Sequence, residues 1–434
     1  MKKYLLVLFS LVLFLLVACN KEESTAEPND KENDKPEEVE EVELTFTIWG
    51  SDAHAEMYEK ALQGFYEENP NIKVKIESIP FADYQQKLSV LAAGNELPDI
   101  GWVSEQMVPQ FKDNNILTDI SDFEKDADFN LKDFFPRTLD LWKHDGKLLG
   151  LPFSTPPMII YFNKTLFEAA GLETPLELAK KGEWTWEKFE EAAKAIASGK
   201  GTDRNYGAIL YTDTKNFSAI ASHTFSYGGS MFSDDMKKFK WNSEQGVATF
   251  EMMDRMMFKD KSHVPPGETI TFEGGKIGMF TGMYSYMGNV RKITDFKWDI
   301  APMPEGTDGS KPLLGQAGIV AFTGSKHPEE AKALLKYLES QEGIKAQSAF
   351  FVPPRKSVLE SDEFVNVPNN PPRESIEIAV IDQMNNGYLY PLHKDWTKIE
   401  SEIIKGFDML YSQMAPPTKI LEQMETNITP LLNK

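Results

Sequence analysis

The chain has 434 residues, of which 41% are hydrophobic and 26% charged, and its formal net charge is −21. That length exceeds the ~250–300 residues at which one core stops growing, so two lobes are expected. The acidic balance argues against a nucleic-acid partner, and a single cysteine, Cys19, leaves no internal disulfide and no cysteine metal cage.

Lys2 and Lys3 precede an uncharged apolar run from Tyr4 to Val17. The run is shorter than the ~20 residues of a spanning helix and reads as the core of a secretion signal. Leu16-Val17-Ala18-Cys19 resembles a bacterial lipobox. The resemblance implies removal of residues 1–18, lipid on Cys19 and a body held on the extracytoplasmic face of the cell membrane. Residues 20–43 carry 3 Lys against 11 Asp or Glu and no aromatic side chain. Such a segment cannot bury enough apolar surface to fold, so 19–43 is expected to be a disordered acidic linker.

The folded part is expected to start at Leu44. Leu44 to Trp49 alternates as a strand does. His54 to Glu68 has helical spacing and stops at Asn69-Pro70, and Ile72 to Ile76 alternates again. Strand, helix and strand in this order make a βαβ unit with parallel strands. A helix from Tyr84 to Ala93 and a short strand from Pro98 to Val103 follow. Met158 to Phe162 is apolar throughout, as a strand between helical layers should be. Thr185 is placed to cap a helix that runs to Ala197. Lys276–Phe280 and Ala317–Phe322 are further strands. Pro328, with Glu329 and Glu330 behind it, opens a long helix. The C-terminus is helical, and the class is α/β.

Catalytic and metal motifs are sought without success. There is no Gly-x-Ser-x-Gly elbow, His-Glu-x-x-His pair or P-loop; Gly274-Gly275-Lys276 lacks the rest of that motif. His54, His144, His223, His263, His327 and His393 are scattered. Asp126-x-Asp128-x-Asn130 starts like a calcium loop, but Leu131 stands where glycine is needed, so a solvated loop is expected. Met252, Met253, Met256 and Met257 are read as core. No cofactor and no metal are expected. Two carboxylates that meet only in three dimensions could still hydrolyse a glycan, which keeps a lipid-anchored hydrolase as an alternative.

Aromatic residues recur beside turns at strand ends. Trp49 precedes Gly50-Ser51-Asp52, Trp102 precedes Ser104 and Glu105, Tyr227 precedes Gly228-Gly229, Tyr284 and Tyr286 follow Gly282, and Trp396 opens the last helical region. Ligands of open α/β sheets sit beyond strand carboxyl ends, and flat aromatic faces suit the apolar faces of sugar rings.

From Leu44 onward the chain resembles the extracellular solute-binding proteins of the maltose/oligosaccharide type that serve ABC importers. The resemblance is carried by Asp83-Tyr84-Gln85-Gln86-Lys87-Leu88 through Leu97-Pro98-Asp99-Ile100, by Gly146 to Pro152 with Ile159 to Lys164, and by Thr185-Trp186-Glu187. It continues through Phe272 to Met279, Gly282-Met283-Tyr284-Ser285-Tyr286, Gly315 to Ile319 and Ser325 to Ala331.

It implies a two-lobed periplasmic-binding-protein type II fold, a Venus flytrap with a hinge. The first lobe would be 44–152 plus 315–365 and the second 153–314 plus 366–434. A carbohydrate, most simply an oligosaccharide, would bind between them and be handed to the transmembrane subunits of the permease. The protein would be a monomer and not an enzyme, and it would touch the membrane through its lipid alone. The residues assigned to the ligand are Trp49, Asp52, Tyr84, Trp102, Glu105, Tyr227, Tyr284, Tyr286, Gln316, Gly318, Arg355 and Trp396. The same fold with a polyamine, peptide, glycerol phosphate or metal chelate is the other alternative, and a sensor that presents its ligand to a membrane partner is not separable from a transporter.

Overall fold

A computed structural model describes residues 41–50, 52–210, 217–265, 267–389 and 391–433. Cys19 and the rest of the expected signal and linker up to residue 40 lie outside the described residues. The main elements, in chain order, begin with β1 (Val42–Trp49), α1 (Asp52–Ala61), β2 (Ile72–Ile79), α2 (Phe81–Gly94), β3 (Ile100–Ser104) and β4 (Leu151–Ser154). Then come β5 (Met158–Asn163), α3 (Trp186–Ile196), β6 (Tyr206–Ile209), β7 (Ile277–Met283), β8 (Trp298–Ala301) and β9 (Leu313–Leu314). The last are β10 (Ala317–Ala321), α4 (Pro328–Leu338), β11 (Tyr388–Leu389), α5 (Trp396–Tyr411) and α6 (Pro417–Leu432).

Two sheets organise the chain. The first has the order β2-β1-β3-β10-β4. Leu44, Phe46 and Ile48 are fully buried on β1, which pairs in parallel with β2 from Val42↔Ile72 to Trp49↔Ile79. The expected βαβ unit is therefore present, and its strand starts at Val42 rather than Leu44. β3 joins the other side of β1 in parallel. The sheet is completed by β10, which returns from far along the chain and lies antiparallel to both β3 and β4.

The second sheet has the order β8-β5-β7-β6. All six residues of β5 are buried. Met158, Ile160 and Phe162 pack on one face, with α3, α5 and α6. Ile159 and Tyr161 pack on the other, with Tyr284, Phe364 and Ile376. Helices on both faces explain why this strand shows no polar alternation. Thr185 does cap α3, accepting from the Lys188 N–H at 3.4 Å. The four methionines of the 252–257 stripe are buried in the same core.

The chain crosses between the sheets along adjacent segments. Pro157, after β4, bridges Leu314; the Gly315 N–H donates to the Pro156 carbonyl at 3.0 Å; and β9 pairs in parallel with β11. The Thr155 N–H reaches the Val352 carbonyl at 3.1 Å, which sets a third segment beside the other two. Leu359, Phe364 and Val365, placed in the first lobe from sequence, pack instead in the cluster around β5 and β7. The segment that resembles a calcium loop is closed on itself. Asp126 Oδ1 accepts from the N–H groups of Asp128 and Phe129, and Lys336 occupies its other oxygen. Among the described residues no group of three or more His, Cys, Asp or Glu could hold a metal, and no helix is long and apolar enough to cross a membrane.

Arg355, assigned to the ligand from sequence, belongs to the fold. It is 1% exposed. Its guanidinium donates to the carbonyls of Glu339 at 2.8 Å, Phe129 at 2.9 Å and Asn130 at 3.2 Å. It pairs with Asp133 at 3.5 Å and lies over the rings of Phe129 and Phe134. A planar five-donor fork is the one side chain that can satisfy three carbonyls and a carboxylate at once. Arg355→Ala should therefore lower unfolding free energy by about 3–5 kcal/mol, as loss of one partner of a buried pair does, with Arg355→Lys intermediate. Urea denaturation followed by tryptophan fluorescence measures this; a midpoint unchanged in both variants would remove the structural role argued for Arg355.

Candidate functional site

The carboxyl ends of β1 and β3, the start of β10 and the N-terminus of α5 surround a cleft of about 1010 Å³. Trp49, Phe81, Gln85, Glu105, Phe153, Gln316 and Phe351 line it from the side of the first sheet. Met283, Ser285, His393, Lys394, Trp396 and Glu400 line it from the other side. Both sheets thus contribute, so one bound molecule can touch both.

The aromatic wall is built in layers. Trp102, assigned to the ligand from sequence, is fully buried and does not line the cleft. Its ring supports those that do: Trp49 at 4.9 Å, Phe153 at 4.5 Å in a stack and Phe351 at 5.4 Å edge-on. The Trp102 indole N–H donates to the Tyr58 hydroxyl at 3.0 Å, which donates to Gln347 Oε1 at 2.7 Å. The Gln347 amide then reaches the Leu338 carbonyl. Tyr84 touches the cleft but is only 2% exposed, its hydroxyl held 3.0 Å from the Thr47 carbonyl and 2.9 Å from that of Trp102. It anchors α2 to β1 and β3.

Phe81, which the sequence reading missed, stands above this layer. It is 68% exposed although it lines the cleft, and it meets Trp49 edge-on at 5.8 Å. The signal was its position as the first residue of α2, directly after Ile79-Pro80 at the end of a strand. Gly50, next to Trp49, has φ +137°, and a Cβ there would lie 2.6 Å from the His54 ring. A side chain at Gly50 would meet both that φ and the His54 ring, so glycine is required here.

Glu105 and Gln316 form the polar floor. Each holds the other through the backbone: the Gln316 N–H donates to Glu105 Oε2 at 2.8 Å and the Glu105 N–H to the Gln316 carbonyl at 3.2 Å. Burial pushes the Glu105 carboxyl up to about 7, against the two backbone N–H groups that favour its charge. The side-chain amide of Gln316 is buried, and neither its oxygen nor its nitrogen has a partner among the described residues. A buried amide without partners is costly unless another molecule completes its hydrogen bonds.

The remaining sequence candidates lie elsewhere. Asp52 is exposed as the first residue of α1 and does not line the cleft. Tyr227 is half-buried beyond the cleft lining, its hydroxyl on Glu187 at 2.8 Å and its ring 4.9 Å from His223. Tyr284 is 2% exposed and packs on Phe364. Tyr286 lies past Ser285, outside the main cleft, its hydroxyl tied to Glu273. Gly318 sits inside the first sheet, where a Cβ would come within 2.3 Å of the Trp142 ring.

Comparison with known proteins agrees with this arrangement. A family model described as a bacterial extracellular solute-binding protein matches residues 60–372. The arabinooligosaccharide-binding protein of Bacillus subtilis is 27% identical over a 451-residue alignment covering 96% of each chain. The diacetylchitobiose-binding protein of Streptomyces coelicolor is 25% identical over 82% of each. A solved ABC substrate-binding protein of Listeria monocytogenes in complex with cycloalternan is 25% identical and superposes with a TM-score of 0.77, covering 91% of this chain and 100% of that one.

Burial weakens Glu105 as an acid, and this bears on stability. The folded state holds this proton more tightly than an unfolded chain does, so its contribution is fully present below about pH 4.5 and is lost as pH rises through about 7. The loss is at most about 3 kcal/mol, since cleft water screens part of the charge. Glu105→Gln should flatten that decline. Urea midpoints at pH 5 and pH 8 test it; equal declines in the two proteins would put the titration elsewhere.

Proposed function

The chain belongs to the bacterial extracellular solute-binding protein family, and from that membership we propose that it captures an oligosaccharide in the cleft and delivers it to an ABC importer. The reading goes further than the family. It adds lipid attachment at Cys19, a monomeric state, handover to the transmembrane permease subunits and capture without turnover.

The observation that carries the proposal is a cleft with exposed aromatic surface on one side and a polar floor that lacks partners among the described residues. Trp49 and Phe81 offer ring surface from one lobe, and Trp396, 4% exposed and packed in the second core, borders the cleft from the other. A pyranose or furanose presents C–H groups on its faces and hydroxyls at its rim. Its faces would stack on these rings, and its hydroxyls would complete the bonds that Gln316 and Glu105 leave open. The volume, about 1010 Å³, lies at the top of the usual range for small-ligand sites, which favours several sugar units over one. The relatives named for arabinooligosaccharide and diacetylchitobiose support the same class.

Ligand contact with both lobes gives the closed arrangement its advantage. A sugar held by the first lobe alone would leave the equilibrium between open and closed forms unchanged. Closure about the three adjacent crossings is the motion this assigns, and the permease would read the closed form.

Phe81→Ala is the cleanest probe, because an exposed ring contributes little to folding. It should weaken sugar binding by about 1 kcal/mol, roughly five-fold, with an unchanged melting temperature for the free protein. Trp396→Ala, at a residue packed in the second core, should instead lower the melting temperature as well. Calorimetry against arabino-, malto- and chito-oligosaccharides measures both. Heat of binding with none of these, but with a polyamine or a peptide, would keep the fold and remove the carbohydrate.

A further inference from the structure

Behind the aromatic wall lies an ionisable group that the binding surface does not use. Glu339 follows α4 and is fully buried, and neither oxygen of its carboxyl has a partner among the described residues. Its backbone, by contrast, is engaged. The N–H donates to the Leu335 carbonyl at 3.0 Å, and the carbonyl accepts from Arg355 at 2.8 Å. On either side of it, the carbonyls of Leu338 and Gly343 accept from the Gln347 amide, whose oxygen holds the Tyr58 hydroxyl beneath Trp102.

The titratable and charged groups around Glu339 are committed elsewhere. The Tyr58 hydroxyl, on α1, lies near enough for a charge on Glu339 to oppose its own ionisation, and it donates to Gln347. The Arg355 guanidinium favours a charge on Glu339 but directs its N–H groups at three carbonyls and at Asp133. On α4, Lys336 is taken by Asp126 and the Tyr337 hydroxyl by the Ala61 carbonyl. In the helix Gln341–Gln347, Glu342 is exposed and Lys345 pairs with Glu363 at 3.5 Å. A carboxylate without hydrogen bonds in such a place is far more costly than the neutral acid. Burial therefore drives this carboxyl well above the ordinary range, against the attraction of Arg355.

We infer that Glu339 is a proton-operated catch behind the binding surface: neutral, it lets the 338–347 segment hold Trp102 through Gln347 and Tyr58, and ionised, it draws in water and loosens that support. The protein is extracytoplasmic, so this proton answers to the pH of the surroundings. The wall is firm in acid and neutral surroundings and yields in alkaline ones, with no change in any residue that lines the cleft. The folded state keeps a proton that an unfolded chain releases above about pH 4.5. The stability it contributes is fully present below that pH and falls as pH rises, until the folded state ionises too. Along that fall the unfolding equilibrium constant rises about ten-fold per pH unit through this one group.

The test is urea unfolding of the full chain, followed by far-ultraviolet circular dichroism at pH 7.5 and 8.5. Glu339→Gln should lose about ten-fold of the rise that the parent shows across this unit, since Glu105 titrates in both proteins and cancels. Glu339→Met, of similar length and without charge, serves if the amide folds poorly. Infrared spectroscopy of the parent needs no variant. At pH 8, where Glu105 is mostly ionised, a carboxylic-acid carbonyl band should persist. On further alkaline titration the tryptophan bands in the near ultraviolet should weaken in the parent before the far-ultraviolet signal does, and at a lower pH than in Glu339→Gln. Absence of the infrared band, or equal pH slopes in parent and variant, overturns the neutral acid. Tryptophan bands that hold until the parent unfolds overturn the catch.

Discussion

Trp102 is buried and does not line the cleft, yet the first lobe's share of the cleft rests on it. Three rings that do face the cleft, those of Trp49, Phe153 and Phe351, lean on its indole. Its own orientation is fixed from behind by a chain of hydrogen bonds through Tyr58 and Gln347 to the backbone of the 338–343 region. Aromatic side chains have few rotatable bonds, so fixing the bottom layer fixes the top one at small entropic cost. The result is a binding surface that is apolar, flat and already in position before a ligand arrives. Residues from β1, β3, β4 and the 350–351 turn contribute to it, and only the return of the chain into the first sheet brings the last of them there.

That return is the second constraint. The chain leaves the first sheet after β4, builds all four strands of the second, and comes back at β10. Pro156-Pro157 on the way out and Leu313-Leu314-Gly315 on the way back run side by side and share hydrogen bonds. Proline removes donors and fixes φ on one strand of this pair, and glycine gives freedom on the other. The crossings are short, lie next to each other and border Gln316. A change of angle between the lobes therefore acts directly on the polar floor of the cleft.

Much of the fold could be read from the sequence because its strands and helices obey their own periods. The alternation of Leu44, Phe46 and Ile48 marks β1, and the unbroken apolar run of β5 marks a strand with helices on both faces. The site was less legible. The rule that aromatics at strand ends face ligands picked out Trp49 and Trp396, which line the cleft. It also picked out Trp102 and Tyr284, which are buried beneath neighbouring rings, and Tyr227, which is tied to Glu187. Strand-end position says that a side chain is near the cleft edge, but not which face it points to or what lies over it. Phe81 escaped for the converse reason. As an apolar residue opening a helix it looks like core, and only the three-dimensional path after Pro80 leaves it in solvent. Arg355 is assigned to the ligand only because Val352-Pro353-Pro354-Arg355 resembles a segment of the family. Its partners are carbonyls of Phe129, Asn130 and Glu339, and carbonyls carry no sequence signal.

The floor of the cleft shows how such a protein can be selective without a strong charge. Glu105 and Gln316 are joined through backbone groups, which leaves the Gln316 side-chain amide without a partner among the described residues. Leaving a buried amide unsatisfied is unfavourable. A ligand that brings hydroxyls to this point offsets the deficit; one of the same shape without them seals the deficit in. Discrimination against missing hydroxyls is therefore much stronger than discrimination by size, since an absent methylene leaves a small void whereas an absent hydroxyl leaves a buried polar group unpaired. An apolar wall with an incomplete polar floor thus favours molecules that are flat and apolar on their faces and hydroxylated at their edges. A glycan has that distribution on every unit, so the same logic can be repeated along the cleft as far as the chain of sugars extends.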